Sequence, residues 1–358
     1  MEKAIYFATG CYTEKVAHVP GACGEGIGIL SFNEENGRIK KVSLTGDLNN
    51  PTYLNWNRKK QYLYAVTERS EDGGEVCTFS LNNFKALHLV GKQPGPGRSA
   101  CHVSGDPEKN MLFAASYSDG CMKAYKLIDG VPDKAFHDFS YSGRGPNTSR
   151  QSEPHAHQVL FGPDKKYLYV CDLGSDTIWK HDLSESSLNG STALKVPGGY
   201  GPRHLAFDTD GQYAFILCEL VPQLLVAEID QKTGNLNILQ DLPTVDSSYK
   251  EISAPAAIKV HPSGKTLVVS NRFDDSITVF RIIREKVKVH LEEVENFSTR
   301  GKTPRDMTFS PSGEWLLIAN QDSNDIQVKA FDPGEGMTLD KWAEPFETGS
   351  PVCLVVLD

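Results

Sequence analysis

The sequence has no apolar run long enough to cross a membrane, although 39% of its 358 residues are hydrophobic. A transmembrane helix needs about 20 consecutive apolar residues, and no stretch of the chain comes close to that length. The apolar segment at residues 4–8 is also too short for the core of a secretory signal peptide. We therefore expect a cytoplasmic protein without a membrane partner.

The chain also lacks the patterns of several ligand classes. None of its eight cysteines forms a Cys-x-x-Cys pair, which predicts reduced, mostly buried thiols and no zinc site. There is no P-loop and no Gly-x-Ser-x-Gly elbow, and the glycines of residues 24–28 lead into a strand, unlike a dinucleotide fingerprint. A net charge of −9 argues against nucleic acid as a partner. No cofactor is expected.

Helical periodicity is scarce, and a strand-like unit recurs instead. Each copy has a proline or a related start, an apolar strand, a tight turn, a second apolar strand, a third strand after a polar loop and, in places, a polar fourth strand. Copies begin near residues 51, 99, 154, 201, 254, 303 and 350. Four short strands every 47 to 55 residues or so predict an all-β fold, a seven-bladed β-propeller with four antiparallel strands per blade.

The two ends of the chain supply one blade between them. Residues 350–357 resemble a first strand, and residues 4–9 resemble a second strand without a first. Their pairing would form a composite blade, remove the free sheet edge and close the ring. Residues 1–358 are therefore predicted to form a single domain. Two separate β domains are the alternative, but they would need a linker, and none is evident.

Propeller geometry predicts the position of a functional site. The first strand of each blade lines the central channel and the second runs back, so the start of one and the end of the other meet at one mouth. Alignment of the copies places His157, Arg203 and Arg305 at equivalent positions, with His155 two residues before His157. The second strands end in polar residues, namely Glu68, Asp172, Glu219, Asn271 with Arg272, and Asn320 with Gln321.

These residue types suit an anionic substrate and acid–base chemistry. Arginine binds carboxylate or phosphate well, and histidine is the usual general base near neutral pH. Tyr12 leaves its strand at the same mouth, whereas Arg150, in a nearby loop, is expected to be solvated. The alternative is a solvated rim in which Arg203 and Glu219 form a static salt bridge. The repeated placement of charged residues favours a functional site.

The chain resembles the seven-bladed-propeller lactonase family, which includes bacterial 6-phosphogluconolactonases and fungal 3-carboxy-cis,cis-muconate lactonizing enzymes. The resemblance covers the whole chain and rests on motifs that are specific only when taken in order. They are Thr-Gly-Cys-Tyr-Thr at 9–13, Pro-His-Ala-His at 154–157, Gly-Pro-Arg-His at 201–204, Ser-Asn-Arg at 270–272 and Thr-Pro-Arg at 303–305.

The resemblance implies a cofactor-independent lactonase whose site holds one histidine, two arginines and a glutamate. The matching residues are Arg203, Glu219, Arg272 and one of His155 and His157. We expect the histidine to activate water, the arginines to bind phosphate or stabilise the oxyanion, and Glu219 to orient an arginine. The substrate expected is 6-phosphogluconolactone. Further candidates for substrate binding are Arg305, Glu68, Asp172, Asn271, Asn320 and Tyr12.

Two other functions remain open on the sequence. A muconate-type lactonizing cycloisomerase could use the same arginines for carboxylates and the same histidine for proton transfer. A non-catalytic propeller that binds a protein would expose aromatic side chains around the mouth, where only Tyr12, Tyr117 and Tyr200 are found. The pair His155 and His157 has no evident third ligand for a metal. We expect a monomer or a weak homodimer.

Overall fold

The computed structural model describes residues 4–184, 188–285 and 288–357. Within these ranges the chain forms 29 β-strands in seven sheets that make up the predicted seven-bladed β-propeller. None of the described residues belongs to a helix with the length and apolar character needed to cross a membrane. The predicted fold class is confirmed.

Each blade contains four antiparallel strands that follow one another outward from the channel. The chain begins with the outer three strands of the composite blade, β1 (Ile5–Cys11), β2 (Ile27–Asn33) and β3 (Arg38–Thr45). The second blade is formed by β4 (Tyr53–Asn57), β5 (Tyr62–Val66), β6 (Glu75–Asn82) and β7 (Ala86–Pro94). The third is formed by β8 (Ala100–Asp106), β9 (Met111–Ser116), β10 (Cys121–Ile128) and β11 (Val131–Ser140).

The next two blades repeat this arrangement. One is formed by β12 (Ala156–Phe161), β13 (Tyr167–Asp172), β14 (Thr177–Asp182) and β15 (Gly190–Lys195). The other is formed by β16 (Pro202–Phe207), β17 (Tyr213–Cys218), β18 (Gln223–Ile229) and β19 (Leu236–Pro243).

The last blades complete the ring. One is formed by β20 (Ala254–Val260), β21 (Thr266–Arg272), β22 (Ser276–Glu285) and β23 (Lys288–Ser298). The other has β24 (Pro304–Phe309), β25 (Trp315–Asn320) and β26 (Asp325–Phe331), with an outer edge shared by β27 (Thr338–Trp342) and β28 (Phe346–Glu347). The final strand, β29 (Pro351–Val356), pairs with β1, and this confirms the predicted closure between the two ends of the chain.

Burial follows the position of a strand within its blade. The second strand β17 is buried at every residue, because it lies between two strands of its own sheet and between two neighbouring blades. The outer strand β19 alternates between covered and exposed residues, because one of its faces meets water. The innermost strands also contact one another around the ring. The channel wall is therefore a rigid support for the residues that face it.

A bulge in the inner strands directs side chains into the channel. The pairing of β12 with β13 skips one residue, His157, and the pairing of β16 with β17 skips Arg203 in the same way. Cys101 and Arg305 are skipped in their own blades. A bulge leaves one residue unpaired and re-aims its side chain. The residues that the repeat alignment made equivalent are thus equivalent in backbone structure as well.

A recurring backbone hydrogen bond joins the start of the inner strand to the end of the second strand at the same mouth. A residue at or shortly before the start of the inner strand has a left-handed backbone in five blades, at Asn50, Ser99, Gly201, Thr303 and Ser350. The carbonyl groups of these residues accept the backbone N–H groups of the residues that follow the second strands, which are Glu68, Tyr117, Glu219, Gln321 and Tyr12 respectively. The second-strand residues therefore form a ring of their own around the mouth.

A substitution at Gly201 tests the role of this left-handed backbone. The φ of Gly201 is +63°, and a Cβ there would lie 2.5 Å from Cγ of Leu220. We expect Gly201→Ala to lower the free energy of unfolding by about 2 kcal/mol, through left-handed strain and overpacking. The matched control is Gly21→Ala, because a Cβ at Gly21 meets nothing within 4 Å. Denaturant unfolding measures both changes, and equal losses in the two variants would contradict the explanation.

Candidate active site

A pocket of about 460 Å³ opens at the mouth where the two rings of residues meet. This is within the usual size range of small-molecule sites. The bulge residues His157, Cys101 and Arg305 line it together with second-strand residues such as Glu68 and Glu219. The pocket therefore combines the two sets of positions that the repeat brings to one face of the propeller.

The carboxylate of Glu219 is the centre of the pocket's charge network. Its Oε2 lies 3.0 Å from Nε of Arg203 and 2.9 Å from Nη2 of Arg272. Its Oε1 accepts a hydrogen bond of 2.7 Å from Nη2 of Arg150. Nε2 of His157 lies 3.9 Å from Oε2. One buried carboxylate thus holds three guanidinium groups that come from two strands and a loop.

Electrostatics keep this cluster charged. Burial raises the pKa of the Glu219 carboxyl group, but the neighbouring cations, led by Arg272 and Arg203, hold it well below its usual range. Burial and the charge of Arg272 lower the pKa of Arg203 to about 10. Both partners are therefore ionised at neutral pH, and the arginines surround a position where negative charge can be stabilised.

His157 differs from the arginines in being neutral. Burial and the charge of Arg203 lower the pKa of its imidazole well below the usual value, so the ring is uncharged at neutral pH. Its Nδ1 is buried and has no hydrogen-bond partner among the described residues. Its Nε2 lies on the side of Glu219. Nε2 is therefore the nitrogen of His157 that lies nearer the charge cluster.

A second polar network lies around the hydroxyl group of Tyr12. This hydroxyl donates to Oε2 of Glu68 at 2.9 Å and accepts from Nη2 of Arg305 at 3.0 Å. Nε2 of His18 is also 3.0 Å from it. Arg305 further donates to Oε1 of Gln321 at 3.2 Å, and it makes no ion pair with a carboxylate in the described part of the chain. The guanidinium group of Arg305 is thus hydrogen-bonded to neutral side chains, those of Tyr12 and Gln321.

The comparison with protein families decides to which family the chain belongs. The model of the family described as "Lactonase, 7-bladed beta-propeller" matches residues 6–356. The chain belongs to this lactonase family. The match spans all seven blades, including both halves of the composite blade. The family resemblance and the lactonase activity predicted from the sequence are therefore confirmed.

Relatives of the lactonase agree with this assignment. The 6-phosphogluconolactonase of Bacillus subtilis is 29% identical over 335 residues, which are 93% of this chain and 95% of that protein. The 6-phosphogluconolactonase of Formosa agariphila is 31% identical over 315 residues, or 85% and 88% of the two chains. The structure of the periplasmic gluconolactonase of Pseudomonas aeruginosa has a TM-score of 0.89 at 26% identity, with 99% of each chain covered.

Most residues predicted for the site come together in the lactonase. Four of them, Glu68, Glu219, Arg272 and Arg305, line the pocket with His157. Two further predicted residues lie close behind that wall. Arg203 lines a narrow extension of the pocket into the channel, and Tyr12 is buried with its hydroxyl group between Glu68 and Arg305. Their contacts with a substrate remain predictions.

Three predicted substrate-binding residues do not line the pocket, and these predictions are corrected. Asp172 accepts backbone hydrogen bonds from His155 and from the turn that follows it. Asn271 donates to a backbone carbonyl of a neighbouring loop, and Asn320 donates to Asp325. Asn271 and Asn320 each lie one residue before a residue that lines the pocket, Arg272 and Gln321 respectively. Because successive side chains along a strand point to opposite faces, a shift of one residue points the side chain into the blade and away from the pocket.

His155 is also displaced from its predicted place beside His157. Its ring stacks on Tyr117 with the ring centroids 4.3 Å apart. Its Nδ1 lies 2.8 Å from the Tyr117 carbonyl oxygen, to which it donates. Simple alternation would point both histidines the same way, but the bulge at His157 breaks the alternation between them. Of the two, His157 is the histidine that lines the pocket.

Arg150 and His18 line the pocket but were not among the predicted site residues. Arg150, which was expected to be solvated, binds Glu219 and donates to the Tyr117 hydroxyl at 3.1 Å. His18 lies in the loop after β1 and was not singled out. Loops carry no strand periodicity, so no pattern in the sequence places either side chain. Within the described ranges, no group of three or more His, Cys, Asp or Glu residues is arranged to bind a metal ion.

Removal of the Glu219 charge should weaken the fold of the lactonase. In Glu219→Gln the guanidinium groups of Arg203 and Arg272 stay buried without their counter-charge, and we expect a loss of about 3–5 kcal/mol in the free energy of unfolding. Denaturant unfolding at neutral pH measures it. Glu68→Gln is the control, because the hydrogen bonds that the Glu68 carboxylate accepts within the described ranges come from neutral hydroxyl groups, those of Tyr12 and Thr52. A Glu219 variant no less stable than this control would contradict the explanation.

Proposed function

We propose that this lactonase hydrolyses 6-phosphogluconolactone to 6-phosphogluconate at the pocket around Glu219. The observation that carries the proposal is Arg305, a pocket cation whose hydrogen-bond partners, Tyr12 and Gln321, are neutral. A guanidinium group with neutral partners can bind a phosphate without first breaking an ion pair. The names of the Bacillus subtilis and Formosa agariphila relatives support the same substrate.

The cluster around Glu219 suits the reacting carbonyl group. Attack of water on a lactone places negative charge on the carbonyl oxygen, and donors fixed in advance stabilise that charge. His157 and Arg272 line the pocket beside Glu219, with Arg203 beneath them. Glu219 holds the two guanidinium groups in place, so they need no rearrangement during the reaction. We assign the lactone carbonyl to this side and the phosphate to Arg305.

The pocket offers little support for a protein-binding propeller. A flat, apolar surface around the mouth would favour such a protein, whereas this mouth is concave and carries charged side chains. Of the tyrosines that could have served it, Tyr12 is fully buried, and Tyr117 is held by His155 and Arg150. Among the residues that the structure describes, no contact favours a lactonizing cycloisomerase over a hydrolase.

Cellular location and assembly form a separate part of the proposal. All eight cysteines are unpaired, which suits the reducing conditions of the cytoplasm. The Pseudomonas aeruginosa relative is named as periplasmic, so cell fractionation is the direct test. We propose a small anionic lactone as the sole class of partner, and a monomer or weak homodimer. Size-exclusion chromatography with light scattering tests the assembly.

Hydrolysis of fresh 6-phosphogluconolactone, compared with gluconolactone and with the uncatalysed rate, tests the function. We expect Arg305→Ala to raise KM for the phosphorylated lactone about 10- to 150-fold, the value of a charge-assisted hydrogen bond. KM for gluconolactone should change far less, because gluconolactone has no phosphate group. Arg98→Ala is the control, since Arg98 is an exposed arginine paired with Asp119.

Three outcomes would contradict the proposal. A wild-type protein without activity on the phosphorylated lactone would remove the substrate assignment. Equal effects of Arg305→Ala on KM for the two lactones would remove the phosphate site. Turnover of an unsaturated diacid in place of lactone hydrolysis would make the protein a cycloisomerase.

A further inference from the structure

His18 enters the pocket from the loop that joins β1 to β2. An isolated bridge between Val16 and Val19 fixes the turn that carries it. The side chain of His18 is 55% exposed, and its ring packs edge-on against Tyr12 with the centroids 5.5 Å apart. A titratable group is thus held in a defined position at the pocket, and the roles assigned so far do not use it.

The hydroxyl group of Tyr12 determines which nitrogen of His18 carries the proton. A phenol has one hydrogen to donate and two lone pairs to accept with. Its hydrogen goes to the Glu68 carboxylate, because an ionised carboxylate only accepts, and one lone pair receives the Nη2–H of Arg305. The remaining lone pair faces Nε2 of His18 at 3.0 Å, so Nε2 must donate.

It follows that Nδ1 of neutral His18 carries a lone pair. This atom has no hydrogen-bond partner among the residues that the structure describes, and the side chain is open to solvent. His157 shows the opposite arrangement. Its Nε2 lies 3.9 Å from the Glu219 carboxylate, which favours a proton on Nε2, and its Nδ1 is sealed from solvent. Of the two imidazoles, His18 presents the acceptor and His157 the donor.

We propose that His18 is the general base of this lactonase and that His157 donates a hydrogen bond from Nε2 to the lactone carbonyl oxygen. The inference rests on the proposed lactone hydrolysis, and it replaces the sequence-based hypothesis that His157 or His155 activates water. Tyr12, Glu68 and Arg305 are the positioning residues that keep Nδ1 of His18 free.

The proton and electron balance of the step is complete within the pocket. Nδ1 of His18 removes a proton from water as the water oxygen bonds to the carbonyl carbon, and the C=O π electrons move to the carbonyl oxygen. The Nε2–H group of His157 and the guanidinium groups at Glu219 stabilise that oxygen. The C=O bond then re-forms, the bond to the ring oxygen breaks, and the ring oxygen takes the proton from Nδ1. No other reactant is needed.

The surroundings of His18 set the pH at which it can act. The charged groups that face it are Arg305, Glu68, Arg272 and Glu219. Burial and the charge of Arg305 outweigh the carboxylates and lower the pKa of the imidazole from 6.5. A base with a lowered pKa is unprotonated at and above neutral pH. The kcat/KM of the wild-type protein should therefore rise with pH through a limb below 6.5 and stay level above it.

The inference is tested by the kinetics of two variants, His18→Asn and His157→Gln. The substrate is the lactone that the wild-type protein hydrolyses fastest. We expect His18→Asn to lower kcat about 10²–10⁴-fold, the usual effect of losing a general base, and to abolish the acidic limb. His157→Gln keeps a donor, so it should lose about 10-fold or less and retain the limb. His155→Gln is the matched histidine control, because His155 stacks on Tyr117 and does not line the pocket.

A measurement that does not depend on turnover checks the tautomer. Nitrogen NMR of the imidazole rings at pH 8 should show His18 protonated on Nε2, and Tyr12→Phe should remove that preference. Thermal unfolding confirms that each variant is folded. An intact acidic limb in His18→Asn, or a lone pair on Nε2 of His18, would overturn the inference. A wild-type protein that is inactive on every lactone would instead overturn the proposed function. The NMR measurement would still test the tautomer of His18, because it does not depend on turnover.

Discussion

The charge cluster at the channel mouth depends on one buried carboxylate, that of Glu219. Three guanidinium groups with like charge would repel one another at the distances seen here, and burial would add to the penalty. Glu219 places an oxygen within 3.0 Å of Arg203, Arg272 and Arg150, so each cation has a partner. Arg203 and Arg272, whose side chains are at most 11% exposed, can therefore stay fixed and largely dehydrated, which is the condition under which they stabilise an anionic transition state most strongly.

The sequence repeat explains why most residues of this site could be predicted from the sequence. The proline and turn of each copy define the register of the inner strand, so His157, Arg203 and Arg305 could be aligned before any coordinates were known. In the structure they coincide because all three are bulge residues in the same part of the blade. Glu219 could be found for the same reason, since the hairpin that follows Arg203 returns to the same mouth.

The site predictions failed for residues whose positions the spacing of the repeat does not determine. A second strand can be recognised from its apolar run, but its last residue cannot be located to within one position. That single residue separates Asn320, which points into the blade, from Gln321, which lines the pocket. His18 and Arg150 lie in loops, where the contacts that hold them join distant parts of the chain. Neither spacing nor composition predicts such contacts.

The crystal structure of the protein with bound 6-phosphogluconate is the most direct test of the claim that the Glu219 cluster is the centre of lactone chemistry. We predict that the carboxylate of the product contacts Nε2 of His157 and the guanidinium group of Arg272. The phosphate should bind Arg305, and Nδ1 of His18 should face the product. A product bound at the opposite mouth of the channel, or with its carboxylate away from the Glu219 cluster, would contradict the account.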